Sequence, residues 1–335
     1  MKALVTGGGG FLGSAIARAL AARGDEVTSL ARGTYPELED LGVRCVRADL
    51  ADPAQGEALA RAVRGADVVF HAAARAGIWG PRAAYWQVNV EGTRRVLAAC
   101  LEAGVARLVF TSSPSVCFDG RDHVRASNDL PYAERFLAPY PASKAAAERE
   151  VLAADGLGGL STCALRPHLI FGPGDPHLLP RLVERARAGK LAIVGDGRNE
   201  VTLCYVDDAA RAHLQAAERL APGAAHAGRA YFIGQAEPVN LWGWVNELLA
   251  RLGLPPVERR VPAGVARAAG GALELVWRAL RLRSEPRMTR FLAAQLSTSH
   301  SYDMEPARRD FGYEPSVSMP EALDRTVQWL RALAR

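Results

Sequence analysis

The chain has 335 residues, 49% hydrophobic and 23% charged, the profile of a globular protein with room for one large domain or two smaller ones. That excludes a disordered, collagen-like or disulfide-stapled product. Lys+Arg 41 against Asp+Glu 36 leaves a formal charge of only +5, scattered along the chain, without the basic block that nucleic acid demands.

Lys2, Lys144 and Lys190 are the only lysines, so each stands out among the arginines. Cys45, Cys100, Cys117, Cys163 and Cys204 are far apart and form no C-x-x-C. Reduced thiols in a cytoplasmic protein are expected, with neither bridges nor a metal site. Before Gly7 the N-terminus MKALVTGGGG holds too few apolar residues for a secretory signal. No stretch reaches the ~18 uninterrupted apolar residues of a spanning helix; the nearest, Val261 to Leu282, is broken by Arg267, Glu274, Arg278 and Arg281.

In chain order, strands are expected at Ala3 to Val5, Glu26 to Leu30, Val43 to Arg47, Val68 to His71, Arg107 to Phe110 and Thr162 to Leu165. Helices are expected between them at Leu12 to Arg23, Ala54 to Val63, Tyr85 to Ala103 and Ala142 to Ala154, each followed closely by a glycine (Gly24, Gly65, Gly104, Gly156) as helix C-termini prefer. Alternating strand and helix reads as an α/β fold, a doubly wound parallel Rossmann sheet. From Gly172 onward proline and glycine multiply. Helices at Leu178 to Ala188, Asp207 to Arg219 and Leu241 to Arg251 suggest a smaller, mostly helical C-terminal substrate lobe. The expected division is 1–171 for the cofactor and 172–335 for the substrate, with about 200–235 returning to the sheet through Arg229 to Ile233.

The first strand runs straight into Thr6-Gly7-Gly8-Gly9-Gly10-Phe11-Leu12-Gly13. In G-x-x-G-x-x-G spacing, Gly7 turns the chain, Gly10 lets backbone N–H groups approach a pyrophosphate at the helix N-terminus, and Gly13 permits close helix-to-strand packing. A glycine run alone also makes a flexible turn; its position between the first strand and a helix points to a dinucleotide. Where the second strand ends, Ser29-Leu30-Ala31-Arg32-Gly33 offers no acid for ribose hydroxyls. Arg32 there favours the 2′-phosphate of NADP(H). Asp49, after the third strand, suits either the adenine amino group or the cap of the helix after Pro53.

Tyr140-Pro141-Ala142-Ser143-Lys144 sets a phenol and an ammonium at i and i+4 on one helix face. A phenol of pKa ~10 is a poor acid–base group until a nearby cation favours its anion, and Lys144 is expected to be that cation. The fifth strand ends in Thr111-Ser112-Ser113-Pro114-Ser115, hydroxyls at the sheet edge where open α/β folds bind ligands. Spacing alone does not choose among them.

With these pieces in view, the chain resembles the extended short-chain dehydrogenases/reductases, in the branch of the 3β-hydroxysteroid dehydrogenases. The resemblance spans essentially the whole length. It rests on Gly7, Gly10 and Gly13, His71-Ala72-Ala73-Ala74, Asn89-Val90-Glu91-Gly92-Thr93, Thr111-Ser112-Ser113, Tyr140 with Lys144, Leu165-Arg166-Pro167 and Tyr205-Val206-Asp207-Asp208. It implies strand order 3-2-1-4-5-6-7, Ser113, Tyr140 and Lys144 as catalytic residues, and Asn89 as a structural and water-holding residue. Around NADP(H) it implies Gly7, Gly10, Phe11, Leu12, Gly13, Arg32, Asp49, Leu50, Ala72, Ala73, Tyr140 and Lys144, with Pro167 and His168 beside the nicotinamide.

Residues 76–80 (Ala-Gly-Ile-Trp-Gly), 171–180 (Phe-Gly-Pro-Gly-Asp-Pro-His-Leu-Leu-Pro) and 304–313 (Met-Glu-Pro-Ala-Arg-Arg-Asp-Phe-Gly-Tyr) are more distinctive. They are similar to the 2-alkyl-3-oxoalkanoate reductases of bacterial long-chain olefin biosynthesis. The implied reaction interconverts a hydrophobic 2-alkyl-3-oxo acid and its 3-hydroxy acid, with a homodimer and contact with partner enzymes of the pathway as compatible expectations. Alternatives are a hydroxysteroid or sterol dehydrogenase and a non-catalytic NADP(H)-sensing protein; loss of Tyr140 or Lys144, typical of the latter, has not occurred. Residues 261–282 and 288–296 are expected to form either a lid over an alkyl tunnel, a membrane contact, or a face that covers the core.

Overall fold

The computed structural model describes residues 1–176, 178–282 and 284–333. His177, within the 171–180 motif, and the chain end at 334–335 lie outside the described residues. Seven parallel strands form the main sheet: β1 (Lys2–Thr6), β2 (Glu26–Ala31), β3 (Arg44–Arg47), β4 (Val68–His71), β5 (Arg107–Thr111), β6 (Ser161–Pro167) and β7 (Arg229–Ile233), in the order 3-2-1-4-5-6-7. Both faces are covered, so successive strand residues bury on opposite sides. Val5, Phe70, Val109 and Leu165 pack with helices Phe11–Ala22 and Val206–Arg219, whereas Leu4, Val69, Leu108 and Ala164 pack against helices Gly56–Val63, Gly92–Ala103 and Pro139–Ala153. Gly24, Gly65, Gly104 and Gly156 all take positive φ after their helices, the left-handed geometry that punctuates them in the sequence.

β7 pairs with β6 from Arg229↔Cys163 to Ile233↔Pro167, the return anticipated for that segment. Beyond it, a separate apolar cluster joins Leu179, Val183, Trp242, Leu248 and Leu323. A second sheet, ordered 239–240, 200–201, 300–302, 123–126, was not legible in advance: strands of two to four residues carry no alternating pattern.

The helix expected at Tyr85 to Ala103 runs from Arg82 to Ala103 and holds a π-helical turn at Gln87–Glu91. Helix Ala263–Ala279 buries Ala266, Gly270 and Glu274, leaves Leu273 and Trp277 half-buried and exposes Val265, Leu275 and Val276.

Candidate active site

β1 ends where Gly7, at φ +72°, turns the chain against the loop that follows β4; a Cβ on Gly7 would lie 2.7 Å from Ala73 Cα, and one on Gly13 only 2.1 Å from the Gly7 carbonyl oxygen. No side chain caps the helix that starts at Phe11, and its first turn holds no acid. Its leading N–H groups and positive dipole end are therefore offered to an anion. These features fit a dinucleotide pyrophosphate against Gly10, Phe11 and Leu12. A groove of about 920 Å³ lined by Gly9, Gly10, Phe11, Pro173 and Gly174 adjoins this turn but does not reach Tyr140.

Arg32 is exposed at the end of β2, and its carbonyl accepts from Arg47 Nε at 3.0 Å, so a second guanidinium, which sequence reasoning missed, stands next to it across the β2–β3 pair. Tyr35 was missed as well: its ring lies where a Cβ on Gly9 would be, 1.9 Å away, against the glycine turn. Asp49 accepts from the Ala51 N–H at 2.9 Å. The cap of the turn at Pro53–Gln55 is Asp52, which corrects the capping alternative for Asp49. Leu50 buries its side chain in the core, and its carbonyl accepts from Arg95. The Ala72 N–H donates to the Thr6 carbonyl at 3.2 Å and the Ala73 N–H to Thr6 Oγ1 at 3.4 Å.

His71 ties three elements together. Thr93 Oγ1 donates to the Asn89 carbonyl at 2.6 Å, so it must accept from His71 Nε2 at 2.9 Å, leaving Nδ1 to accept from Thr6 Oγ1 at 2.6 Å. Burial, with Lys144 adding to it, lowers this histidine to about 3, so the ring is neutral. The π turn brings Asn89 inward, where its carboxamide accepts from the Arg75 N–H at 2.6 Å and donates to the Arg75 carbonyl at 3.1 Å and Ser143 Oγ at 2.8 Å. Asn89 thereby braces the 75–80 loop against the helix that carries Tyr140 and Lys144.

That helix begins at Pro139, three residues before expectation, and presents Tyr140 beneath the end of β5. The four candidate hydroxyls now separate. His213 Nδ1 donates to the Ala209 carbonyl, so its Nε2 accepts from Thr111 Oγ1 at 2.8 Å. Ser112 Oγ is buried without a partner among the described residues. Ser113 Oγ is 2.9 Å from Ser115 Oγ and is the hydroxyl of the four that lowers the Tyr140 phenol.

Burial pushes the Tyr140 phenol up to about 12, Ser113 pulling it down and Tyr85 adding to the rise. Lys144 is not among these influences, so the expected depression of the phenol by that cation is not seen. The ammonium instead donates to the Thr111 carbonyl at 2.6 Å and lies 3.9 Å from the centroid of Phe110. Burial lowers it to about 7, with Glu148 opposing. Pro167 ends β6. His168 faces the Thr202 carbonyl through Nδ1 and packs 5.1 Å from the His300 ring and 5.3 Å from Tyr302. Leu169 then takes φ +44°, an uncommon conformation for a bulky residue. Ile78, Phe118, Leu137, Ala138 and Phe291 form an apolar cluster that joins the 76–80 motif to the residues preceding Tyr140.

A glycine turn at β1, seven parallel strands in this order and Tyr140 with Lys144 under β5 define an extended short-chain dehydrogenase/reductase, an oxidoreductase. The chain belongs to the 3-beta hydroxysteroid dehydrogenase/isomerase family, whose sequence profile matches residues 4–262. It is 53% identical to the 2-alkyl-3-oxoalkanoate reductase of Stenotrophomonas maltophilia over 97% of this chain and 98% of that one. To the 2-alkyl-3-oxoalkanoate reductase of Shewanella oneidensis it is 48% identical, over 96% of this chain and 84% of that one. Among solved structures, DesIV, a dTDP-glucose 4,6-dehydratase from Streptomyces venezuelae with NAD and TYD bound, superposes with a TM-score of 0.77 at 28% identity, covering 99% and 97% of the two chains.

Proposed function

We propose that this protein reduces the 3-keto group of 2-alkyl-3-oxoalkanoates, reversibly, with NADP(H) as cofactor, as a cytoplasmic enzyme of long-chain olefin biosynthesis. The convergence of Ser113 and Tyr140 at the end of β5, one helical turn from Lys144, carries the reading; the two reductases at 53% and 48% identity support the substrate class. The part up to residue 171 holds the cofactor and the part from 172 most of the substrate. Phe11 and Leu12 N–H groups take the pyrophosphate, Arg32 the 2′-phosphate, and Ala72, Ala73, Pro167 and His168 border the rest of the dinucleotide with Asp49 and Leu50.

When bound, the dinucleotide supplies the hydride that reaches the ketone carbon. Tyr140, protonated throughout the neutral range because its phenol stands near 12, gives its proton to the developing alkoxide. Ser113 donates its hydroxyl hydrogen to that oxygen. Lys144 in its ammonium form offsets the phenolate charge. The apolar wall of Ile78, Phe118 and Phe291 excludes water from the alkyl chains.

Oxidation of NADPH by the purified protein against 2-alkyl-3-oxo acids, 3-ketosteroids and sugar nucleotides tests the reading. Turnover of the first class at least tenfold above the others is expected; a preference for either other class overturns it.

A further inference from the structure

Helix Ala263–Ala279 is built inside out. Its inward side is a narrow stripe: Gly270 lies so close to residues 289–290 that a Cβ there would sit 2.6 Å from the Thr289 carbonyl carbon. Glu274, turned inward, accepts from the Arg290 backbone N–H at 2.8 Å and Nε at 3.0 Å. Outward stand Val265, Leu275, Val276 and Leu280, with Leu275 68% and Leu280 65% exposed, and Ala268, Ala269, Ala272 and Ala279 fill the positions between them. At 100° per residue these eight fall within an arc of about 140° that holds no polar side chain. Leu282 continues the patch, so half of the exposed large apolar side chains among the described residues lie between 265 and 282.

The exposed charges of residues 263–282 have one sign, although Arg278 also lies 3.6 Å from the buried Glu274 carboxylate. Arg267, Arg278 and Arg281 are exposed, and Glu274, the only acid from 263 to 282, is buried. Such a surface is poorly solvated in water, yet it matches an anionic bilayer: the apolar arc enters the acyl boundary while the guanidiniums meet phosphates. No described helix is long and apolar enough to cross a membrane, so this one would lie in the plane of the surface. It also lies beside the candidate active site. The Arg278 guanidinium is 5.5 Å from the Trp79 ring centroid, the Trp79 carbonyl accepts from Tyr85 Oη at 2.9 Å, and Tyr85 is close enough to act on the Tyr140 phenol.

We propose that residues 263–282 dock the protein on an anionic bilayer surface, with the site mouth facing the lipid from which a two-chain oxo acid would enter. The delivery role rests on the substrate class proposed above; the docking does not.

The test is co-sedimentation with phosphatidylcholine vesicles, with and without phosphatidylglycerol, in low and high salt. Binding is expected only to the phosphatidylglycerol vesicles, weakening as salt screens the arginines. Leu275→Ser/Leu280→Ser and Arg267→Glu/Arg281→Glu should each lower affinity at least about tenfold while keeping the thermal midpoint and the turnover of a short, soluble 3-oxo acid. Absence of binding, or variants that bind like the parent, overturns the proposal. So does a dimer in solution that Leu275→Ser/Leu280→Ser dissociates, because a second copy would then cover the face. Failure of ketone turnover with vesicle binding intact would instead strike only the reaction assigned above.

Discussion

Glu148 stands one helical turn beyond Lys144 and is fully buried, where it receives Arg166 Nε at 3.0 Å and the Tyr132 hydroxyl at 2.7 Å. Its charge is the only influence that raises Lys144 against the burial lowering it to about 7. Because an amine loses its charge as pH rises through its pKa, ketone reduction that needs the ammonium should fall on the alkaline side of about 7. Glu148→Gln should move that limb to lower pH. It should also destabilise the fold by roughly 3–5 kcal/mol, since Arg166 is left buried without its anion. Urea unfolding and a pH–rate profile of the folded variant measure the two effects separately; an unmoved limb would show that Glu148 serves packing alone.

Tyr140→Phe should reduce turnover by more than the ~10²-fold typical of a positioned acid, with NADPH affinity from fluorescence titration nearly unchanged. Ser113→Ala should also lose turnover, because Ser113 is the hydroxyl that acts on the Tyr140 phenol. Ser112→Ala removes a buried hydroxyl that has no partner among the described residues and should cost little. The opposite ranking of the two serines would move the catalytic hydroxyl by one residue.

The main sheet was readable because most of its strands are compact runs of buried residues and the four helices that alternate with its first six strands are followed by glycine. Arg229 to Ile233 could be returned to the sheet for the same reason. Tyr140 and Lys144 were readable as a spacing on one helix, whereas the choice of Ser113 needed three dimensions: His213, which claims Thr111, lies 102 residues further along the chain. Tyr35 and Arg47 escaped because strand pairing and a chain turn, rather than spacing, bring them to the glycine turn and Arg32. The inward stripe of helix Ala263–Ala279 escaped because Gly270 and a charged Glu274 look like surface residues, and only their partners at 289–290 explain their burial.

NADPH should be preferred to NADH, and Arg32→Glu should invert the preference. With Arg47 beside Arg32, the single Arg32→Ala should weaken NADPH binding less than the double variant Arg32→Ala/Arg47→Ala does. A loss of about 1.5–3 kcal/mol is typical of one charged hydrogen-bond partner. Equal use of both cofactors by the parent protein refutes the assignment.

Acid should destabilise the fold through its buried histidines. Burial lowers His71 to about 3 and His168 and His213 to about 4, against ~6.5 when unfolded. Between about 4 and 6.5 the unfolded chain binds protons that the folded chain refuses, so stability is full above 6.5 and falls on acidification. Each histidine contributes up to about 1.4 kcal/mol per pH unit in that window. Thermal midpoints from pH 7 to 4.5 should decline, and His213→Gln should make the decline shallower by one proton's share. A slope unchanged in that variant would place the linked protons elsewhere.

Phe291 and Trp277 should respond differently to truncation. Phe291 is 8% exposed, lies 5.9 Å edge-on to Phe118, and belongs to the apolar cluster that reaches Ile78 and Ala138 beside Tyr140. Trp277 is only half-buried on the helix whose apolar face is turned outward. If the Phe118–Phe291 cluster lines the alkyl chains, Phe291→Ala should raise KM increasingly with substrate chain length, by about 0.8 kcal/mol for each methylene that loses its contact. Trp277→Ala should show a weaker chain-length dependence, because Trp277 is not part of that cluster. Steady-state kinetics over a series of oxo acids decides this. Should Phe291→Ala lower the thermal midpoint with a flat chain-length profile, the cluster is core and the substrate's chains lie elsewhere.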